Sequence, residues 1–495
     1  MTSRPDPGRL SLYPLWLTLL RAGGTRFPQA VATQKSVLQA SSTERRRIAT
    51  PTLASALLGF FTITLDAVVV NVTLPTIGKD LGGGMTGLQW VADGYTLMFA
   101  ALLLSAGSLS DSIGATRAFR AGLVGFLVSS LACGLAPTLV LLVAARFLQG
   151  AAAATMMPAS MALIRQTYPE PRARARAVGI WGIGGAAASS AGPILGGVLT
   201  MINWRLVFLI NIPVGVMALL LLTRTEVSPR RPVRFDIPGQ ITGVLAMGAL
   251  TYGATEAGSR GFADPVVITA FVLALVSVVG FIGAQRLVAA PMLPLDLFRS
   301  RTVSIVAATG FAFMVGYFGL PFVISVFLQL NRGLDAAHTG VVFLPMMLAG
   351  LILTPFAARI CERFGRRTVI TTGLALITAG LVALAFLSAT APLWMIAVLM
   401  ALVGLGGPTV SPPAIAMLLD AVPHDQAGVA SGVFNTSRQL GGALAIAVFG
   451  SLLAHPATLQ HGVRVSLLVA ATVSALAGAL ARFLPRTDHN HQESG

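Results

Sequence analysis

Residues 53–75 read LASALLGFFTITLDAVVVNVTLP, a run broken by one charge, Asp66. At 1.5 Å per residue a helix of this length crosses roughly 30 Å of hydrocarbon. The same kind of run recurs along the chain, joined by short polar segments. Fourteen can be drawn, at 53–75, 89–109, 118–136, 139–163, 177–199, 206–223, 238–257, 266–285, 302–328, 338–358, 368–388, 392–416, 427–452 and 464–482. The rest of the 495 residues agrees: 55% are hydrophobic, 11% are charged, and the mean hydropathy is +0.79. A soluble domain carries about 25% charged residues. The expected fold class is therefore an all-α polytopic membrane protein. An aqueous enzyme, a secreted disulfide scaffold and a coiled coil are excluded.

The net charge of +16 invites a nucleic-acid reading until the charges are placed. With the N-terminus inside, nineteen basic residues fall in cytoplasmic joints, among them Arg117, Arg165, Arg224, Arg230, Arg231, Arg234, Arg363 and Arg366. Five, namely Lys79, Arg205, Arg260, Arg332 and Arg464, fall outside. That bias orients the chain with both termini cytoplasmic and accounts for the basic surplus without nucleic acid. Cys133 and Cys361 sit in or beside apolar segments and cannot build a metal cluster. His489 and His491 in the tail make no metal site either.

The chain divides at its basic middle joint. Residues 1–50 are expected to be a disordered cytoplasmic leader, with a short interfacial helix near Tyr13–Leu20 or added upstream sequence as alternatives. A six-helix bundle follows over 51–223. Residues 224–301 hold the basic joint and two linker helices, residues 302–484 a second six-helix bundle, and 485–495 a cytoplasmic tail. Weak internal symmetry supports the division. Gly107 to Gly114, with Asp111 between them, and Ala358 to Arg367, with Glu362 and Gly365, form like hairpins eight spans apart. Repeats of this kind underlie alternating access in transporters.

Polar residues inside the spans need a reason, because a charge in hydrocarbon costs a few kcal/mol on insertion scales. Asp66 is the clearest; it suits proton or cation handling, or structural pairing with a buried arginine. Arg146 and Gln149 stand three apart on the fourth span and share a helix face. An intramembrane arginine keeps its charge, so it must meet a carboxylate, a carbonyl or water. Asp93 and Glu256, near the outer ends of their spans, are candidates for a proton path or for attracting a cation. Arg438 and Gln439 are candidates for a network in the second half. Phe311 and Phe322 are candidates for lining a cavity, with helix packing as the plainer role. No histidine, cysteine or serine has catalytic context, and the glycine runs lack the Lys-Ser/Thr of a nucleotide loop. Catalytic residues, metals and cofactors are not expected. Uphill movement must draw on an ion gradient, about 2.3 kcal/mol per proton across 100 mV.

Taken in order, these segments resemble the major facilitator superfamily, and within it the fourteen-helix drug:proton antiporter branch of EmrB/QacA-like exporters. The resemblance covers residues 50–484. Leu65 to Pro75 is similar to the branch's first-helix motif, and Arg146 to Ala154 to its proton-coupling fourth helix. Gly184 to Gly197, through Gly192, Pro193 and Gly196, resembles the antiporter motif of the fifth helix. Asn203 to Gly215 resembles a further branch motif. Gly107, Asp111, Gly114 and Arg117 resemble the cytoplasmic loop motif, yet Ser112, Ala115 and Thr116 stand where basic residues are usual.

The resemblance implies two six-helix bundles around a central cavity with two additional central helices. It implies export, in exchange for protons, of hydrophobic and often cationic drugs or dyes across a bacterial inner membrane. The expected partners are protons, a hydrophobic small molecule and the lipid bilayer, with no nucleic acid. Oligomeric state is open, a monomer included. The alternatives are an exporter of one self-made antibiotic or metabolite, a proton-coupled importer, and a non-transporting receptor or assembly partner.

Overall fold

The computed structural model of the chain describes residues 27–230, 235–289, 291–423 and 426–485. Arg231, Arg234, Arg486, the Tyr13–Leu20 segment and both tail histidines lie outside the described residues. Helices follow one another with short joints: α1 (Phe27–Leu81), α2 (Gly84–Ile113), α3 (Ala115–Leu135), α4 (Leu139–Thr167), α5 (Pro171–Ile202) and α6 (Leu206–Leu222). Then come α7 (Ile237–Arg260) and α8 (Pro265–Leu287). The series ends with α9 (Arg301–Asn331), α10 (Ala336–Phe364), α11 (Arg366–Ala385), α12 (Leu393–Asp420), α13 (Ala427–Leu452) and α14 (Leu459–Ala481). The helix α1 starts at Phe27, so part of the stretch expected to be disordered is helical.

Among the described residues, ten helices are long and apolar enough to cross a membrane, eleven if α2, bent by 62°, counts as one span. The other expected spans fall short for visible reasons. α6 is a shorter apolar helix. α7 carries Gln240, Tyr252 and Glu256, and α13 carries Asn435, Arg438 and Gln439, which lower their hydropathy.

The helices stop and start where local chemistry dictates. Asp236, Asp264, Ser300 and Asp335 accept a first-turn N–H at the starts of α7, α8, α9 and α10, at 2.8, 2.8, 3.5 and 2.8 Å. Such side chains satisfy donors that a helix start leaves free. Two hairpins turn on a glycine in the left-handed half of the map. Gly114 (φ 90°, ψ 136°) joins α2 to α3, and Gly365 (φ 78°, ψ 141°) joins α10 to α11. The same backbone turn thus appears eight helices apart, where the sequence shows its repeat.

Helix pairing repeats with the same offset. α1 packs on α4, α5 and α6, and α9 packs on α12, α13 and α14. α2 pairs with α4 as α10 pairs with α12, and α3 pairs with α6 as α11 pairs with α14. The two groups meet through α2 on α13 and α5 on α10, which are the same contact with the groups exchanged. α7 and α8 pair with each other, and α7 lies along α2 and α13. Only 22% of the most apolar stretch of α8 is inside the protein, against 89% for α9. α8 is peripheral and α9 central.

The groups are sealed together on the arginine-poor side. There Ser325 Oγ donates to the Asn71 carbonyl (2.9 Å), and Gln329 Nε2 to the Val72 carbonyl (2.8 Å). Gln89 Nε2 donates to the Ala447 carbonyl (2.7 Å). A Cβ on Gly197 would lie 2.7 Å from the Ala336 carbonyl oxygen, and one on Gly340 would lie 2.4 Å from that of Pro193. Backbones touch there. Toward the arginine-rich side burial loosens: in α13, residues 441–450 are mostly buried and residues 431–440 mostly half-buried.

Candidate functional site

Asp66 lies inside the first group, wholly enclosed. Its Oδ2 accepts from Arg146 Nη1, and its Oδ1 accepts from Gln149 Nε2 and Asn211 Nδ2, both at 2.9 Å. Arg146, 1% exposed, also donates Nε to the Val91 carbonyl (2.9 Å) and Nη1 to Gln149 Oε1 (2.7 Å). The guanidinium lies 4.4 Å from the Tyr95 ring centroid and 5.7 Å from that of Phe208. Ser130 Oγ accepts from Gln149 and Asn211 and donates to the Phe208 carbonyl (2.8 Å). The close approach of α4 to α2 is what brings Arg146 to Val91. A Cβ on Gly150 would lie 2.2 Å from the Tyr95 carbonyl oxygen, so only a glycine fits.

The fold therefore brings Asp66, Arg146 and Gln149 together in one cluster. It adds Asn211, Ser130 and Tyr95, which the sequence reading did not assign to it. The signal for Asn211 was present in the Asn203 to Gly215 stretch, but nothing in spacing ties it to Asp66. Asn71 belongs elsewhere, at the seam described above. An ion pair buried this deeply is held by its hydrogen bonds, because desolvation offsets most of the Coulomb attraction.

The other expected residues are not in this cluster. Asp93 is enclosed, and neither carboxylate oxygen has a hydrogen-bond partner among the described residues. Glu256 pairs with Arg260 (2.8 Å) on α7. The glycines of α5 serve close packing: Gly184 on Leu57, Gly192 on Val68 and Gly196 on the Val69 carbonyl, with Gly197 on α10. Phe322 is wholly buried and lines no cavity in this conformation, because α9 is covered on every side at that depth; Phe311 is half-buried.

The loop between α2 and α3 departs from expectation in a useful way. Asp111 is exposed, and Arg117 reaches only the Ile113 carbonyl (3.4 Å). Thr116, standing where a basic residue is usual, instead binds the middle joint. Its Oγ1 donates to the Glu226 carbonyl (2.8 Å) and accepts from Ser228 N (3.1 Å). Ser228 Oγ reaches Gln166 Oε1 at the end of α4 (2.5 Å). A neutral hydrogen-bonded clasp occupies the place of a charge relay.

Arg438 has no oxygen acceptor among the described residues. Its Nε is buried without an acceptor, and its Nη2 has only the Met314 sulfur at 3.8 Å. The guanidinium lies 5.7 Å from the Phe313 ring and 5.8 Å from the Phe434 ring. Gln439 beside it is half-buried.

Paired helical groups meeting at a seam sealed at one end, with a buried ion-pair cluster and apolar outer faces, define a multi-pass membrane transporter. The sequence model of the Major Facilitator Superfamily matches residues 56–446 and 306–495. The chain is 34% identical over 422 residues to a methylenomycin A resistance protein of Streptomyces coelicolor, covering 85% of this chain and 89% of that one. It is 32% identical to a tetracenomycin C resistance and export protein of Streptomyces glaucescens, covering 82% and 76%. In fold it is similar to a D-xylose-proton symporter, with a TM-score of 0.65 at 13% identity over 88% of this chain and 98% of that one. The chain belongs to the major facilitator superfamily. It is a membrane transporter of the branch whose members confer antibiotic and multidrug resistance, and not an enzyme.

Proposed function

We propose that the chain exports hydrophobic small molecules in exchange for protons, and that Asp66 is the group the proton visits. The observation that carries the reading is the enclosed Asp66–Arg146–Gln149–Asn211 cluster. As a carboxylate, Asp66 holds three donors from α4 and α6. Protonation removes the charge that compensates Arg146, and a buried uncompensated charge costs several kcal/mol. Arg146 then keeps only neutral partners, the Val91 carbonyl, Gln149 Oε1 and two aromatic faces, and this favours a shift of α4 against α1 and α2. Such a local charge change is suited to biasing two arrangements of the groups.

In this proposal all fourteen helices span the membrane, the arginine-rich side is cytoplasmic, and both termini lie there. α1–α6 and α9–α14 act as two six-helix bundles, with α7 and α8 as linker helices. The seal on the arginine-poor side supports reading the present arrangement as the inward-facing one. The resemblance implies often cationic substrates, with Asp66 and Glu256 as candidates to attract them, but one is enclosed and the other is paired with Arg260. Neither offers a free carboxylate to a bound molecule. The Streptomyces relatives, each called after one antibiotic, favour a second reading in which the chain exports a single compound.

The test is substrate-driven proton release from proteoliposomes. The native protein should release protons when an apolar substrate is added. Asp66→Asn and Arg146→Ala should abolish release while the protein still elutes as a folded species. Transport without proton movement, or release undiminished in both variants, would reject the proton role. A panel of unrelated drugs separates the readings, since the single-compound exporter responds to one member.

A further inference from the structure

Arg146 and Arg438 both stand well inside their helices, and of these two only Arg146 has an oxygen acceptor among the described residues. Arg146 meets a carboxylate, an amide oxygen and a backbone carbonyl. Arg438 meets none, and among the described residues no acidic group comes within ion-pair distance. Buried polar groups in folded proteins are nearly always satisfied, and an unsatisfied one calls for an explanation. A cation–π contact compensates a guanidinium only in part and leaves its N–H donors free.

Position supplies the rest. α13 is surrounded by α2, α7, α9, α12 and α14. Its partly exposed cytoplasm-side half therefore faces the gap between the two groups rather than lipid. Arg438 stands where α13 passes from its sealed half to this open half. Phe434 and Phe313, 1% and 3% exposed, back the guanidinium from inside the protein. A Cβ on Gly310 would meet both Phe434 and the Arg438 stem, so α9 is pressed against the site. Asp93, the unpartnered acid of α2, sits farther toward the sealed end. It lies one turn from Gln89, which binds Ala447 across the seam.

We propose that Arg438 is the receptor for an anionic group of the transported molecule, a planar carboxylate borne on an apolar body. The guanidinium presents its donors as a fork that matches a carboxylate with two parallel hydrogen bonds. This deepens the efflux reading and rests on it, replacing an expected cationic substrate with an anionic one.

The test is equilibrium binding to the purified full-length protein in detergent, with three probes that share one ring system. They are dansylglycine (a carboxylate), its methyl ester (neutral) and dansylethylenediamine (an ammonium). The native protein should bind the carboxylate about tenfold or more tighter than the ammonium. Arg438→Gln should weaken the carboxylate by a similar factor and leave the ester within about twofold, and Arg438→Lys should restore part of the loss. An ammonium bound as well as the carboxylate, or none of the three bound, overturns the proposal. So does an Arg438→Gln variant that loses all three alike. If that variant does not fold, the native ranking alone decides. Binding needs no gradient, so the two readings fail separately. Carboxylate preference without proton release keeps this site and loses antiport; proton release driven by the ammonium probe does the reverse.

Discussion

Arg146 and Arg438 each stand in a helix that passes a glycine shortly after the arginine, and each lies beside two aromatic rings, but Arg146 is enclosed, Arg438 is half-buried and their polar partners differ. Gly150 brings α4 against the Tyr95 carbonyl, and Gly441 brings α13 against the Phe311 carbonyl. In the first group that closeness delivers the guanidinium to three oxygen acceptors, the carboxylate, the amide and the carbonyl, and Ser130 joins the cluster through Gln149 and Asn211. In the second it delivers the guanidinium to two rings and a sulfur. The first site is complete without a ligand; the second is not. A transporter that must keep its coupling ion and its cargo apart can do so by this division, with one group finished and the other waiting.

The largest expected effect breaks this comparison directly. Asp66→Leu leaves Arg146 enclosed with no compensating charge, which costs about 3–5 kcal/mol for a buried pair that loses one member. Thermal unfolding of the purified protein should drop steeply. The double variant Asp66→Leu/Arg146→Met removes both charges and should recover most of that loss. Arg438→Met should be neutral or stabilising, because it removes an uncompensated charge and replaces it with an apolar chain of similar reach. A marked loss of stability in Arg438→Met would mean that the second arginine has a structural partner after all.

A smaller effect sharpens the geometric half of the comparison. Gly150→Ala places a methyl 2.2 Å from a backbone oxygen, and backbone cannot swing aside as a side chain can. Separation of α4 from α2 should cost about 1–3 kcal/mol. It should also pull Arg146 Nε away from Val91, so proton release should fall more than stability does. Gly441→Ala, at 2.4 Å from the Phe311 carbonyl oxygen, should destabilise by a comparable amount yet act on carboxylate-probe binding instead. Equal effects of both substitutions on both readouts would dissolve the distinction between the two sites.

How much of this was legible beforehand follows from the physics of each signal. Asp66 and Arg146 stand out because charge is rare in hydrocarbon, and Gln149 follows from helix periodicity. Ser130 and Asn211 are invisible in that way. Short neutral groups cost little in an apolar helix, and no periodicity reports which residue of another helix they will meet. The repeat was readable at Gly114 and Gly365, since their hairpins carry the same residue types. The clasp of Thr116 on Ser228 was not, because it depends on a joint folding back over a hairpin more than a hundred positions away in sequence. Phe311 and Phe322 could not be separated either: both are apolar on one helix, and which face is covered depends on its neighbours. α7 and α13 read as spans despite their polar residues, and those residues are what α13 turns toward the gap.

The smallest expected effect concerns the rim of the seal, opposite the open half where Arg438 lies. Asp335 caps α10 immediately before Ala336, whose carbonyl touches Gly197 of α5. Its Oδ1 accepts from His338 N and its Oδ2 faces His338 Nδ1, both at 2.8 Å. Hydrogen bonding from the His338 backbone N–H, then from its ring, holds the carboxyl below its ordinary value. The sign follows from linkage: a lowered carboxylate value stabilises the folded state above the ordinary carboxylate range, and that contribution is lost as the pH falls through the lowered value. Because the group is largely in solvent, the gain is small. Asp335→Ala should cost about 1 kcal/mol or less and flatten the acid limb of the stability profile, as the pH falls through and below the ordinary carboxylate range, by roughly that amount. Asp335→Asn keeps the cap acceptor but cannot titrate, so it should flatten the same limb with less loss at neutral pH. If the seal depends on this cap, Asp335→Ala should also raise the labelling rate of a cysteine introduced at Ala337, which lies against Gly197, relative to one at Gln439. An unchanged ratio would show that the two ends of the gap open independently of the start of α10.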